Sequence, residues 1–413
     1  MKYIFHLSTL MTIAILFNGC NESHNQAVEI DNVKQLSQKK SFTSTKFNND
    51  LLLIGGTEGL SLVSNRDKKI DIQKMTLGFK IPKFLNQTTD TIISKSDSNV
   101  SMVKKSEIYT ILKIEDGVLI GGNFTSVNNK KKKSFVKLTN TGEIDQEFSS
   151  EIKGGNVYKI IKYKKGYLIG GTFGLYNNVD TAGIVYIDKK GNIVNNFSNL
   201  KKYMYSEIND ITVLANGNIL LGGAFINQED SLLNLNPDSY IGDETLEDYA
   251  HGIVVLKADG EIDEDLTDKF SMIKNEVYST TLSKNQNKLY ITGGFKIKKD
   301  NKFYTNIIRY DISGDIDTTF QVEELLGEVY SIYEDNERIL IAGDFIPKDG
   351  NSNIRSIMAV NKINGNTLKM DLTSDCANIY QINKAGKNII ILGDGTFSVG
   401  SKDFINNISI NLK

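Results

Sequence analysis

The 413-residue chain has no tryptophan, 3 prolines, 3 histidines and 2 cysteines. Each shortage excludes something. His6 and His24 sit near the N-terminus, so only His251 remains in the body of the chain. A zinc site or a Ser-His-Asp triad would have to be built on that one imidazole, and neither H-E-x-x-H nor G-x-S-x-G accompanies it. No phosphate-cradling glycine motif occurs. Lys plus Arg is 48 against 50 for Asp plus Glu, a net charge of -2, so no basic excess favours nucleic acid. The scarcity of proline suits hydrogen-bonded strands, because proline removes a ladder donor. No cofactor motif and no catalytic set emerges from these counts. What is plentiful is glycine, at 34 residues.

The N-terminus reads as an export signal. Lys2 precedes an apolar stretch from Ile4 to Phe17, diluted by His6, Ser8, Thr9 and Thr12. It is too short and broken to cross ~30 Å of hydrocarbon. The ending Leu16-Phe17-Asn18-Gly19-Cys20 resembles the bacterial lipoprotein box, with Phe17 where leucine is commoner. The resemblance implies removal of residues 1–19, lipidation of Cys20, a tether over 20–27, and a membrane contact through several acyl chains. Asn21-Glu22 lacks the aspartate retention signal of inner-membrane lipoproteins, which places the expectation at the outer membrane. With Cys20 lipidated, Cys376 has no disulfide partner and reads as a small buried hydrophobe.

From residue 28 onward the chain repeats. An apolar run ending in Gly-Gly or Gly-Asp occurs at 51–56, 118–122, 167–171, 219–223, 289–294, 339–344 and 389–394. Taking the first glycine of each pair gives 55, 121, 170, 222, 293, 343 and 393, a unit of about 50 residues with two longer steps. The second unit shows the plan. Glu107–Ile114 is strand-like, Glu115-Asp116-Gly117 a turn, Val118–Phe124 a strand apolar nearly throughout, Ser134–Leu138 a third strand and Ile144–Phe148 a fourth. The pattern predicts an all-β, seven-bladed β-propeller of four-stranded antiparallel blades over 28–413. The glycines fall where neighbouring blades crowd, and lack of a Cβ permits close approach.

A second phrase follows the third strand: TGEIDQEF at 141–148, KGNIVNNF at 190–197, DGEIDEDL at 259–266 and SGDIDTTF at 313–320. With the Gly-Gly-x-Phe run before it, this resembles the delta-60 repeat β-propeller family over roughly residues 107–330. Asn195 replaces the aspartate in the third unit, and the sixth keeps only the turn at Asn364-Gly365-Asn366. The resemblance implies a propeller and no single activity. Kelch blades, quinone-dependent propellers and sialidase-type propellers use tryptophan, which this chain lacks.

The last unit, ending at INNISINLK, has no outer strand of its own. The segment Val28-Glu29-Ile30-Asp31 resembles GEID of an outer strand. Residues near 27–34 are therefore expected to supply the missing strand.

Two insertions, 76–106 and 226–251, fall in connections that open on one face, where function commonly sits. Asp238, Asp243, Glu244, Glu247 and Asp248 lie in the second, while Lys130, Lys131, Lys132, Lys133, Lys298 and Lys299 lie in neighbouring connections. Such a bipolar rim is the candidate surface for a protein or glycan partner. No aromatics interleave with the lysines, as single-stranded nucleic acid would require. The aspartates Asp311, Asp315 and Asp317, and the acidic run 259–265, lack the spacing of an EF-hand and sit in tight turns. No metal site is expected. The reading is a monomeric, lipid-anchored binding module of the cell envelope. Its alternatives are a carboxylate-dependent hydrolase acting near a central channel, and an envelope scaffold.

Overall fold

The computed structural model describes residues 28, 30–37, 40–47, 51–57, 59–64, 79–86, 89–92, 100–103, 106–227, 250–349, 354–375 and 378–412. The expected signal segment, Cys20, the tether, Cys376 and the acidic residues Asp238, Asp243, Glu244, Glu247 and Asp248 lie outside the described residues.

One plan recurs in sheet after sheet. An inner strand pairs antiparallel with a middle strand, which pairs antiparallel with a third. The inner strands are Ser41–Lys46, Glu107–Ile114, Val157–Tyr163, Tyr203–Val213, Val277–Leu282, Leu325–Glu334 and Asn378–Ala385. Each lies against the inner strand of the next sheet, and Asn378–Ala385 lies against Ser41–Lys46.

The middle strands explain why their sequence is apolar without alternation. Successive side chains point to opposite faces of a strand, and both faces here are covered. Leu51 and Leu53 pack with Ile108, Ile111 and Val118 of the second sheet. Leu52 and Ile54 pack instead with Ala385, Ile390 and Leu392 of the last sheet. Each of these four side chains is 2% exposed or less, and burying one stabilises the fold by about 1.5–3 kcal/mol. The core is thus divided into separate clusters, one between each pair of neighbouring sheets.

The N-terminal strand behaves as the sequence suggests. Ile30–Ser37 pairs antiparallel with the C-terminal strand Lys402–Leu412, Ile30 opposite Leu412 and Lys34 opposite Ser409. Val28 bridges Met370 and is fully buried.

The fourth strands differ from expectation. They shrink to single bridges, Leu138 to Ile144, Leu256 to Ile262 and Tyr310 to Ile316. Among the described residues Ile193–Asn195 and Thr367–Leu368 form short ladders, and the outer strand Ile30–Ser37 of the last sheet is the long exception. The recurring Asp or Asn is the physical reason. Asp145 Oδ1 accepts the Glu147 amide at 2.9 Å, Asn195 Oδ1 the Phe197 amide at 2.8 Å, and Asp317 Oδ1 the Thr319 amide at 3.1 Å. A side chain that captures the amide two residues on turns the chain out of the ladder. The turn then delivers Phe148, Phe197 or Phe320 to the core, each at most 3% exposed. In the fourth repeat Asp263 instead caps a short helix, Glu264–Lys269, and Phe270 is the buried residue. Asp259 and Asp263 accept backbone amides in the same way, and Asp311 and Asp317 are held in ion pairs with Lys288. Among the described residues no group of three His, Cys, Asp or Glu could hold a metal.

The glycine register also needs correction. Pairing aligns Gly56, Gly122, Gly171, Gly223, Gly293, Gly343 and Gly393, each opposite the residue that precedes a bulge in the inner strand. The recurring glycine is therefore the second of the pair in the first four units and the first in the last three. A Cβ on Gly171 would stand 2.0 Å from the Asn156 carbonyl oxygen, and on Gly343 2.0 Å from that of Glu328. The glycine before it faces the next sheet instead: a Cβ on Gly121 would meet Val157 Cγ1 at 2.5 Å. That position is Thr292, Ala342 and Leu392 in the last three units.

Candidate functional site at the mouth of the channel

The inner strands surround a cavity of about 700 Å³. Every one of them carries a β-bulge at the same place, after Ser41, Ile108, Val157, Ile208, Val277, Val329 and Ile379. The unpaired residue at the bulge is Phe42, Tyr109, Tyr158, Asn209, Tyr278, Tyr330 or Tyr380. A bulge re-aims a side chain, and all seven line the cavity.

Six aromatic rings thus form a broken circle. From Tyr158 the centroid distances run 5.3 Å to Tyr109, 5.6 Å to Phe42, 4.8 Å to Tyr380, 6.1 Å to Tyr330 and 5.0 Å to Tyr278. These are favourable edge and offset contacts. Asn209 occupies the break.

Two residues before each bulge stands Lys40, Glu107, Asn156, Glu207, Glu276, Glu328 or Asn378. Residues two apart share a strand face, so carboxylates gather beside the rings. Tyr330 Oη donates to Glu328 Oε2 at 2.9 Å, and Tyr109 Oη donates to Glu107 Oε2. Burial, then the neighbouring carboxylates, pushes the hydroxyls of Tyr278, Tyr330 and Tyr380 well above the ordinary phenol range. They remain protonated donors. Burial also raises the Glu276 carboxyl, opposed by a hydrogen bond from Asn209 and reinforced by Glu207 and Glu328. Below the rings the wall is polar. Asp210 is buried, pairs with Lys159 Nζ at 2.6 Å and accepts the Thr280 amide at 2.8 Å.

The sequence-nominated lysines are elsewhere. Lys130 and Lys131 form one arm of a small hairpin with Ser126–Val127, turned by Asn128 and Asn129 at φ 49° and 62°. Lys132 and Lys133 lead from it to the third strand. Lys298 and Lys299 lie in the extended hairpin of the fifth sheet, with Lys298 Nζ 5.6 Å from the Phe303 ring. None of them lines the channel. His251, the one histidine in the body of the chain, is half-buried in the strand His251–Leu256 and does not line the channel.

The two insertions root at the bulge end of the sheets. Asn227 pairs with Tyr203 at the start of its inner strand. Asn86 Nδ2 donates to Asn123 Oδ1 at 3.1 Å. Residues 79–86 follow a regular course along the second sheet, with the Lys80 amide on the Thr141 carbonyl and Phe84-Leu85 paired to Ser126-Val127. The added length therefore begins after Asn86. Within it Thr89–Ile92 and Val100–Val103 form a hairpin.

The aromatic circle was the feature sequence reasoning missed. Its signal was present as the recurring triplets EIY, NVY, EIN, EVY, EVY and NIY at the bulges of six of the seven inner strands.

The family comparison agrees with the fold. Residues 115–148 match the model of a β-propeller domain of unknown function, DUF5122. No curated protein sequence matches the chain. Among solved structures the chain is similar to the WD40 β-propeller domain of Doa1, with TM-score 0.49 and 11% identity over 93% of this chain and 97% of that one. It is also similar to YCF48 bound to D1 peptide, with TM-score 0.42 and 10% identity over 92% and 94%. A third is the β-propeller domain of Cps50 (Swd1) from Myceliophteria thermophila, with TM-score 0.47 and 9% identity over 92% and 99%. The repeated sheet plan and the cores between neighbouring sheets are those of a β-propeller.

Proposed function

We propose that this chain is a lipid-anchored envelope binding module: a seven-bladed ring whose partner seats on the bulge end of the channel. The observation that carries this reading is the circle of bulge-positioned aromatic rings interleaved with carboxylates. Aromatic rings at a concave mouth supply contact area at low entropic cost, and placed polar groups supply orientation. Ring closure is supported by the pairing of Ile30–Ser37 with Lys402–Leu412 and by the core shared between the first and last sheets. Lipid anchoring rests on the Gly19-Cys20 box, and the outer membrane on Asn21-Glu22, which lacks the aspartate retention signal. Residues 20–27 would then be the tether and 28–413 the propeller. The chain beyond Asn86 and beyond Asn227 leaves the sheets at the bulge end and is the candidate rim of this mouth, whereas Lys130–Lys133, Lys298 and Lys299 belong to hairpins that do not line it.

Photo-crosslinking in intact cells, using the full chain, tests the seating. Tyr330→Ala with Tyr380→Ala is expected to abolish crosslinks from the mouth while thermal melting shows a folded protein. Crosslinks undiminished in that variant would sink the proposal. Palmitate labelling lost in Cys20→Ala tests the anchor.

The raised proton affinity of Glu276 beside Glu207 and Glu328 favours a second reading, glycan hydrolysis by paired carboxylates. Turnover of a glycan that Glu276→Gln abolishes would establish it.

A further inference from the structure

Beside the break in the aromatic circle lies a second cavity, about 470 Å³, between the fourth, fifth and sixth sheets. Its existence has a local cause. The position after the recurring glycine is Thr57, Asn123, Thr172, Asp344 or Asp394 in five units, but Ala224 and Gly294 in the two that flank this cavity. A Cβ added to Gly294 would already come within 3.3 Å of Glu328 Oε1.

The charged residues of the lining are all acidic. Glu207, Glu276 and Glu328 converge on it, and among the described residues none of the three has a cationic partner. Tyr205 and Tyr278 supply ring walls, with the Tyr205 hydroxyl donating to Glu207 Oε2. A further acceptor is unused: Asn275 Oδ1 is buried and has no hydrogen-bond partner.

Across the same mouth the chain fills the corresponding chemistry itself. Lys40 Nζ lies 4.9 Å from the Tyr380 ring centroid, 5.6 Å from that of Phe42 and 3.0 Å from Asp394 Oδ2. The same Asp394 oxygen accepts the Tyr380 hydroxyl at 3.0 Å. On that side a tyrosine–carboxylate pair carries an ammonium. On the Glu207–Glu276–Glu328 side the tyrosine–carboxylate pairs carry none, and the position equivalent to Lys40 is itself Glu276 or Glu328.

We infer that this cavity receives a cationic side chain, a lysine ammonium or arginine guanidinium, from a basic segment of the partner. The inference rests on the mouth being the partner site. The carboxylates neutralise the cation while the rings of Tyr205 and Tyr278 lie alongside it, the arrangement in which cation–π attraction adds to ion pairing. Bringing a cation among three carboxylates also removes their mutual repulsion.

The test uses the full chain in detergent micelles and two acetylated, amidated pentapeptides, Gly-Gly-Lys-Gly-Gly and the same peptide with the lysine Nε-acetylated, titrated by NMR. The lysine peptide is expected to bind at least about tenfold more tightly than its neutral counterpart, and Glu207→Gln with Glu328→Gln to remove that preference. Equal affinity for the two peptides, or a preference that survives the double substitution, overturns the inference. The Tyr330→Ala, Tyr380→Ala crosslinking result is independent of peptide charge. Loss of crosslinks together with no lysine preference would therefore leave the mouth as the partner site and reject only the cation pocket.

Discussion

Asn209 Nδ2 donates to Glu276 Oε1 at 2.7 Å, joining the inner strands of the fourth and fifth sheets at the break in the aromatic circle. A second bond from the same amide reaches the Val277 carbonyl at 3.1 Å. Asn209→Leu keeps the volume and removes both. Leaving a largely buried carboxylate without its donor is expected to cost about 1–3 kcal/mol in urea denaturation near neutrality. The loss should shrink at about pH 4, where Glu276 carries a proton. An equal loss at both pH values would show that packing alone is at stake.

Glu276 titrates in the opposite sense to most structural carboxylates. Burial, Glu207 and Glu328 raise its folded value, with Asn209 opposing. Its contribution to stability is therefore present below the ordinary carboxylate range and is lost as pH rises through the raised value. Glu276→Gln should raise the urea midpoint near neutrality and leave it unchanged in acid. A lower midpoint near neutrality would contradict the assignment.

Asp317 shows the contrasting behaviour. Arg309 Nε lies 2.9 Å and Lys288 Nζ 2.7 Å from its Oδ2, and Arg309 and Asp317 are both buried. Burial opposes the charge, but hydrogen bonds from Lys288 and Thr319 and the Arg309 charge outweigh it and hold the carboxyl far below the usual range. Its stabilisation exists above the unfolded carboxylate range and is lost as pH falls through the depressed folded value. Asp317→Asn strands a buried guanidinium and is expected to cost about 3–5 kcal/mol. Thermal melts across pH should show wild type losing its advantage over the variant on acidification.

The two glycines of one pair should respond differently. A Cβ on Gly171 meets backbone at 2.0 Å, whereas on Gly170 it meets the Ile208 side chain at 2.8 Å. Gly171→Ala is expected to prevent folding or lower the melting temperature severely. Gly170→Ala should be milder, because other units tolerate Thr292, Ala342 and Leu392 there. Equal melting temperatures for the two variants would refute the register.

Deleting residues 21–37 removes buried Val28 and a whole outer strand. A loss of about 3 kcal/mol or more is expected. An unchanged melting temperature would mean that the N-terminal strand plays no part in holding the molecule together.

Much of this was legible in the chain. Periodic runs of fully apolar residues ending in glycine announced strands covered on both faces. The Val28–Asp31 phrase announced the strand that pairs with the C-terminus. The outer strands were not legible, because a strand-like phrase cannot reveal that Asp145 or Asp317 captures an amide and turns the chain away. The glycine register failed because Gly-Gly and Gly-Asp look interchangeable until pairing shows which carbon has no room. The site was missed for a related reason. Tyr109 or Tyr330 reads as an ordinary strand residue, and only the bulge beside it turns the ring into the channel. Conspicuous charge drew attention to Lys130–Lys133, which lie on an outer hairpin.

The pairing of Ile30 with Leu412 sets the order of assembly. The first strand to be synthesised must wait, unpartnered, for the last. Contacts this distant in sequence form slowly, since a long loop must close before they repay its entropy. Until then the exposed edge of the last sheet is a template for another chain. A chain lacking its Lys402–Leu412 strand is thus the aggregation-prone form, and that edge needs shielding until the strand is in place.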